Sequence, residues 1–408
     1  MTFRENSVNI QYIYIILLSI LISVYGATFI KLTRTSQFVT PLMGWVVGIS
    51  YFIITPLTVL ALNDGYKFPA YYGVEGEWGN VDLKSPEYLY PFLVIWIALI
   101  LTALTAYAFT KRTDKLRTMP CRWQLTMRKM QKVIVVCAGL MFVQWIIQIA
   151  MAGGIARYFS NNWYERYNEV LDRFGNIFVL YQNAALGLIT VLTAATALLI
   201  MAILQHQSHN YRLLLFTAFM QILNLIMTGN RIFIALLLLY SVTALFVYRR
   251  MRLVVLLIII APVIAIVFNA WVQVRGNVNH ISLAIANYQE MASSEHHRTI
   301  DTIMSITEGG DVMLLLHIIN DYDSRYKLLY GATYSKVFTF FLPRSLYPEK
   351  IQNFTVIAAS EYEPEAVTSL NSTVLGEMYA NFGILTVILM PLFSVLSCMV
   401  TERNPFTP

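Results

Sequence analysis

Apolar residues run along this chain in stretches of about 20 separated by short polar joints, a rhythm that predicts membrane-spanning helices. Nine spans are expected, over 10–30, 40–62, 89–110, 133–152, 177–204, 211–228, 231–248, 252–271 and 374–399. The first is longer than the apolar part of a secretory signal and lacks a cleavage site, so it reads as a span. One long stretch breaks the rhythm. Residues 272–373 are polar, rich in Tyr and Phe, and punctuated by Gly331, Pro343, Pro348 and Pro364. Within it, 294–307 and 311–320 are predicted helical with Gly309-Gly310 as the break, and Val312–Ile319 forms an apolar run too short to span. That run is expected to pack onto the bundle. The order along the chain is therefore a transmembrane bundle over 1–271, a large loop over 272–373, and a final span with a short tail over 374–408.

Composition narrows the class. The chain is 57% hydrophobic and 13% charged, and its mean hydropathy is +0.58. Soluble domains carry about twice that charge, so the expected fold is an all-α polytopic membrane protein. The net charge of +6 is no sign of nucleic acid, because the basic residues gather in short joints. Lys111, Arg112, Lys115, Arg117, Arg122, Arg128, Lys129 and Lys132 crowd one, and Arg249, Arg250 and Arg252 another. Both should face the cytoplasm. Counting from them puts Lys31, Arg34, His206, His209 and Arg212 inside as well. The 63–88 and 153–176 loops, the Thr228–Arg231 turn and all of 272–373 then lie outside. The N-terminus is outside and the C-terminus inside. The 153–176 loop, with Arg157, Tyr158, Trp163 and Tyr164, reads as a helix flat on the membrane interface. The chain ends at Pro408 soon after a span that contains Pro391, so one or two further spans are expected of a complete protein.

Candidate chemistry is sparse inside the spans. They are nearly free of charge, which weakens pump and ion-coupled transporter readings. Gln144, Gln148, Gln182, Asn183, Gln221 and Asn224 suit hydrogen bonds between helices. Cys121, Cys137 and Cys398 supply neither a disulfide framework for the loop nor a metal cluster. Asp321-Tyr322-Asp323 is only a weak metal signal, and His296, His297, Arg298 and Asp301 read as a solvated polar face. At the outer level the pattern changes. Arg231, Arg275, Arg344 and Lys350 lie at or beyond outer span ends, and Glu377 opens the last span beside Tyr379 and Asn381. Guanidinium forks there suit a diphosphate leaving group on a lipid, and a carboxylate suits an attacking hydroxyl. Glu377 also has a structural reading, as a carboxylate complementing the dipole of a helix capped by Thr373. His317 is the alternative base.

The passage Phe-Leu-Pro-Arg-Ser-Leu-Tyr-Pro-Glu-Lys at 341–350, the Ser369–Thr373 stretch, and Gly376-Glu377-x-Tyr379-x-Asn381-Phe382-Gly383 resemble the bacterial Wzy-type O-antigen polymerases, or oligosaccharide repeat unit polymerases. Gly229-Asn230-Arg231 and Arg275-Gly276 fit the same pattern. The resemblance covers about 225–390 well and the N-terminal half only in span layout. It implies a GT-C-like helical bundle in the bacterial inner membrane with its site facing the periplasm. The implied reaction transfers a growing glycan from an undecaprenyl-diphosphate-linked donor to a lipid-linked acceptor, with no metal, no cofactor and no nucleotide. Arg231, Arg275 and Arg344 would bind diphosphate or glycan, with Lys350, Tyr379 and Asn381 beside them, and Glu377 or His317 would act as base. Membrane lipids and a chain-length regulator are the implied partners. O-antigen ligase is the nearest alternative; a polysaccharide flippase or a non-enzymatic scaffold stands further away.

Overall fold

A computed structural model describes residues 2–34, 41–68, 77–113, 127–160, 169–170, 173–174, 176–204, 209–228, 300–301, 303–304, 307–322, 324–325, 327–339, 352, 354–362 and 370–403, with isolated positions between 233 and 245. The expected span over 252–271, and all but those isolated positions of the span over 231–248, lie outside these. Among the described residues six helices are long and apolar enough to cross a membrane: Ile10–Leu32, Leu42–Leu62, Pro86–Ala108, Lys129–Met151, Ala184–Leu204 and Thr373–Leu396. Each coincides with an expected span. A seventh, Tyr211–Leu225, is apolar but shorter. The chain is a multi-pass, membrane-embedded helical protein.

It divides into two compact units that cut across the order of the sequence. Residues 1–119 join 296–408 in one, and 120–295 form the other. The first and last parts of the chain thus share a core. In this larger unit, α1 (Thr2–Arg34) lies along α4 (Leu89–Thr113). The helices run parallel, because contacts climb together along both. Tyr14 meets Phe92, Trp96 Nε1 donates to the Leu17 carbonyl, and Tyr25 Oη donates to that of Leu99. Lys31 Nζ closes the series by donating to the Tyr107 carbonyl while sitting over the Tyr107 ring. That puts the expected cytoplasmic ends of the first and third spans at one level.

The second span is α2 (Pro41–Ile49) and α3 (Thr55–Leu62), joined by a wide turn over Ser50–Ile54. Pro56 has no N–H for the normal ladder, so the helix accommodates one extra residue. Thr55 uses both its N–H and its hydroxyl on the Ser50 carbonyl. Beyond α3, β1 (Gly65–Lys67) pairs antiparallel with β2 (Asn80–Asp82) in a small hairpin. The last span is likewise broken. It consists of α12 (Thr373–Phe382) and α13 (Thr386–Arg403), and α13 packs on α4 and α2. Gly383 makes the joint with φ 57° and ψ −139°, a conformation open essentially only to glycine.

The large loop contributes α9 (Gly309–Asn320), α10 (Ala332–Thr339) and α11 (Phe354–Tyr362). Its apolar run is indeed too short to span, at about 1.5 Å per residue, and it is more deeply buried than any of the six spans among the described residues. Val312, Met313, Leu314, Leu315, Leu316 and Ile318 have no solvent exposure. Polar residues flank this run on both sides in the sequence, yet α9 is hydrophobic all round and enclosed by α3, α4, α12, the wide turn and the hairpin region. Two expectations change here. Gly309-Gly310 does not break the helix but forms its first turn. The left-handed residue is Glu308, with φ 54°. A Cβ on Gly309 would come within 2.6 Å of Met304 Cε, so that flexible side chain would have to move. Nor does Asp301 lie on a solvated face: it is buried and accepts a 2.6 Å hydrogen bond from Tyr66 Oη of the hairpin. His296, His297 and Arg298 lie outside the described residues.

The smaller unit contains α5 (Met127–Met151), α6 (Ile155–Ser160), α7 (Asn176–Leu204) and α8 (Tyr211–Thr228). In its core Gln221 Nε2 donates to Thr193 Oγ1 at 2.9 Å, and Gln144, Gln148 and Asn224 are buried. Tyr158, expected at the membrane interface, is instead drawn fully into this core, where its hydroxyl donates to the Met227 carbonyl.

Candidate functional site

Of the residues singled out in the sequence, Glu377, His317, Tyr379 and Asn381 are placed; Arg231, Arg275, Arg344 and Lys350 lie outside the described residues. Glu377, Tyr379 and Asn381 belong to α12. This helix begins at a strained point: Thr373 is β-branched yet has φ 65°. Its Oγ1 accepts the N–H of Gly376 at 3.3 Å, the capping interaction expected of it. Gly376 is required by close approach, since a Cβ there would meet Ser372 Oγ at 2.7 Å.

One turn further on, Glu377 is half-buried and Oε1 accepts a 2.8 Å hydrogen bond from Thr333 Oγ1, on α10. Asn381 is fully buried beneath it. Its Nδ2 donates to Thr333 Oγ1 at 2.8 Å and to the Glu377 carbonyl at 2.7 Å, and its Oδ1 accepts the Thr333 N–H at 3.3 Å. Asn381 therefore uses its whole amide, with two bonds reaching Thr333 on α10 and one closing back onto its own helix. Tyr334 stacks on Phe382 at 5.7 Å, and its phenol is held above the ordinary range by burial and then by the Glu377 charge. Leu329 N–H donates to the Ala380 carbonyl, so the whole 329–334 turn is tied to α12. Sequence reasoning missed Thr333 and Tyr334. Nothing local to Gly331-Ala332-Thr333-Tyr334 distinguishes it from an ordinary polar turn, since its meaning comes from a partner more than 40 residues away.

Tyr379 is buried, packs edge-on against Tyr322 at 5.5 Å, and sets its hydroxyl 3.4 Å from that of half-exposed Tyr90 at the start of α4. The cluster is thus at the end of the bundle opposite Lys31.

His317 stands apart, in α9 beneath the hairpin. It is 7% exposed. Nε2 lies 3.1 Å from the Asn80 carbonyl and 3.4 Å from Tyr88 Oη, while Nδ1 is 3.9 Å from Asp321 Oδ2. A carbonyl can only accept, so Nε2 carries the proton. Burial depresses its pKa and outweighs Asn80 and Asp321, which pull upward. Its contacts make it a buried tie between hairpin and helix. Asp321 is likewise engaged, accepting from Tyr362 Oη at 3.1 Å and pairing with Arg325 Nε at 3.5 Å. Among the described residues no group of three or more His, Cys, Asp or Glu side chains is arranged to hold a metal ion.

The fold defines a multi-pass α-helical membrane protein with a carboxylate-centred cluster at one end. Comparison of the chain with protein-family models, curated proteins and solved structures returns no match in any of the three.

Proposed function

We propose that this protein is a lipid-linked glycosyltransferase that polymerises undecaprenyl-diphosphate-linked oligosaccharide repeats into O-antigen or a capsule-like glycan. It would act at the periplasmic face of the bacterial inner membrane, within a GT-C-like helical bundle. The observation that carries the reading is Glu377: a half-buried carboxylate, oriented by Thr333, at the bundle end opposite Lys31. That is where the distribution of basic joints puts the extracytoplasmic side.

In the proposed reaction an acceptor hydroxyl attacks the anomeric carbon of the donor glycan. The new C–O bond forms as the bond to the diphosphate breaks, and undecaprenyl diphosphate leaves with the electron pair. Glu377 takes the hydroxyl proton. Arg231, Arg275 and Arg344, with Lys350, balance the charge that grows on the leaving group. Tyr379 and Asn381 serve the site from behind, by packing and by fastening α10. His317, enclosed by backbone and aromatic neighbours, ties the hairpin in place, and Glu377 is the base. A chain-length regulator would act on the product.

The test is the lipopolysaccharide ladder in a deletion strain complemented with variants. Glu377→Gln, Arg275→Ala and Arg344→Ala should each lose the ladder and keep one capped repeat. A full ladder from Glu377→Gln would remove the base. Loss of the capped repeat as well, with polymer still built on the lipid carrier at the outer face, would point to a ligase. Retention of repeats at the inner face would point to a flippase.

A further inference from the structure

We infer that Thr333 is a positioning residue that fixes the Glu377 carboxylate with one oxygen engaged and the other left for the acceptor hydroxyl; this rests on the function proposed above. The argument is one of hydrogen-bond sense. Asn381 has two N–H bonds and one carbonyl oxygen to place. The Thr333 N–H can only donate and the Glu377 carbonyl can only accept, so Oδ1 must face the former and Nδ2 the latter. The amide orientation is fixed by the backbone on both sides. The second Nδ2 hydrogen then points at Thr333 Oγ1, 2.8 Å away, and makes that oxygen an acceptor. The single hydroxyl hydrogen of Thr333 is left for Glu377 Oε1, also at 2.8 Å.

A donor locked in that sense gives Oε1 one fixed partner. It also settles geometry. With Oε1 engaged, Oε2 takes no hydrogen bond among the described residues, and rotation of the carboxylate about its terminal bond would break the tie. Thr333 is buried and so does not meet substrate itself. It acts through Glu377, converting a flexible acid into a base with one working oxygen.

Replacing the hydroxyl while keeping the shape separates this role from packing. Full-length protein in proteoliposomes, supplied with purified lipid-linked repeat units, should show kcat lowered on the order of 10- to 100-fold in Thr333→Val, with little change in KM. Thr333→Ser, which keeps the hydroxyl and loses the methyl, should recover most of the rate. A packing role reverses that order, with Val tolerated and Ser impaired, and would overturn the inference. A second readout does not depend on turnover. The infrared carboxylate band lost in Glu377→Gln should shift in Thr333→Val and in the smaller Thr333→Ala, and stay in place in Thr333→Ser. An unmoved band, with polymerisation still lost in Glu377→Gln, overturns this inference and leaves the proposed function standing. Full polymerisation by Glu377→Gln overturns the base assignment and this inference with it.

Discussion

Glu377 and His317 are both plausible bases as residue types, and their surroundings separate them. Glu377 sits at the edge of the cluster with one oxygen tied to Thr333, whereas His317 is enclosed by Tyr88, Tyr362, Asn80 and Asp321. The enclosed imidazole has a consequence for stability. Its native pKa lies below the ordinary value of 6.5, by burial first. Arg325 acts in the same direction, against Asn80, Asp321 and Glu87. Below that ordinary value the unfolded chain takes up a proton that the native chain does not, so stability is complete above it and falls as the pH drops below it. Thermal unfolding in detergent between about pH 8 and about pH 5 should show this decline, and His317→Gln should flatten it. A second residue-scale prediction concerns the hairpin. Tyr66→Phe leaves buried Asp301 without its 2.6 Å donor and should cost about 1–3 kcal/mol, read from the unfolding midpoint.

At the scale of elements, the two devices that shape the site are a buried helix and a broken one. The α9 helix carries no catalytic group in the proposed reaction, yet α12 and the hairpin region both lean on it. Truncating its centre should therefore be felt at the site. Leu315→Ala removes a side chain with no exposure and should destabilise by about 2–5 kcal/mol. Loss of polymer at growth temperature, with recovery on cooling the culture, would mark that effect as one of folding. The joint at Gly383 sets where α12 stops. Gly383→Ala forces a Cβ into a φ, ψ region that costs on the order of 1–3 kcal/mol. It should lower the melting temperature and turn Asn381 and Phe382 away from α10, seen as loss of protection of Thr333 in amide exchange.

For the whole molecule, the decisive feature is that the chain's two ends share one unit while its middle forms another. Parallel α1 and α4, with Tyr90 beside Tyr379 at one end and Lys31 beside Tyr107 at the other, agree with the alternation of inside and outside assigned from basic residues. In a cysteine-free background, Lys84→Cys, at the exposed foot of the hairpin, should react with an impermeant maleimide added outside spheroplasts. Reaction only after lysis would invert the topology and move Glu377 to the cytoplasmic side, where the proposed reaction has no substrate.

Much of this was legible before any coordinates. Lipid demands that each span satisfy its own backbone and face outward with apolar side chains, so span positions follow from local composition alone. The capping role of Thr373, the buried glutamines and the shortness of the 312–319 run are also local properties. What the sequence does not disclose is pairing at a distance. Asp301 reads as surface until Tyr66 is placed against it, and Thr333 reads as a turn residue until Asn381 and Glu377 arrive from more than 40 positions on. Hydrogen bonds between such residues depend on two backbones meeting, and only the packing of α9, α10 and α12 decides that. Local chemistry determined that this is a helical membrane protein with a carboxylate near the start of its last span; the tertiary structure alone determined how that carboxylate is held.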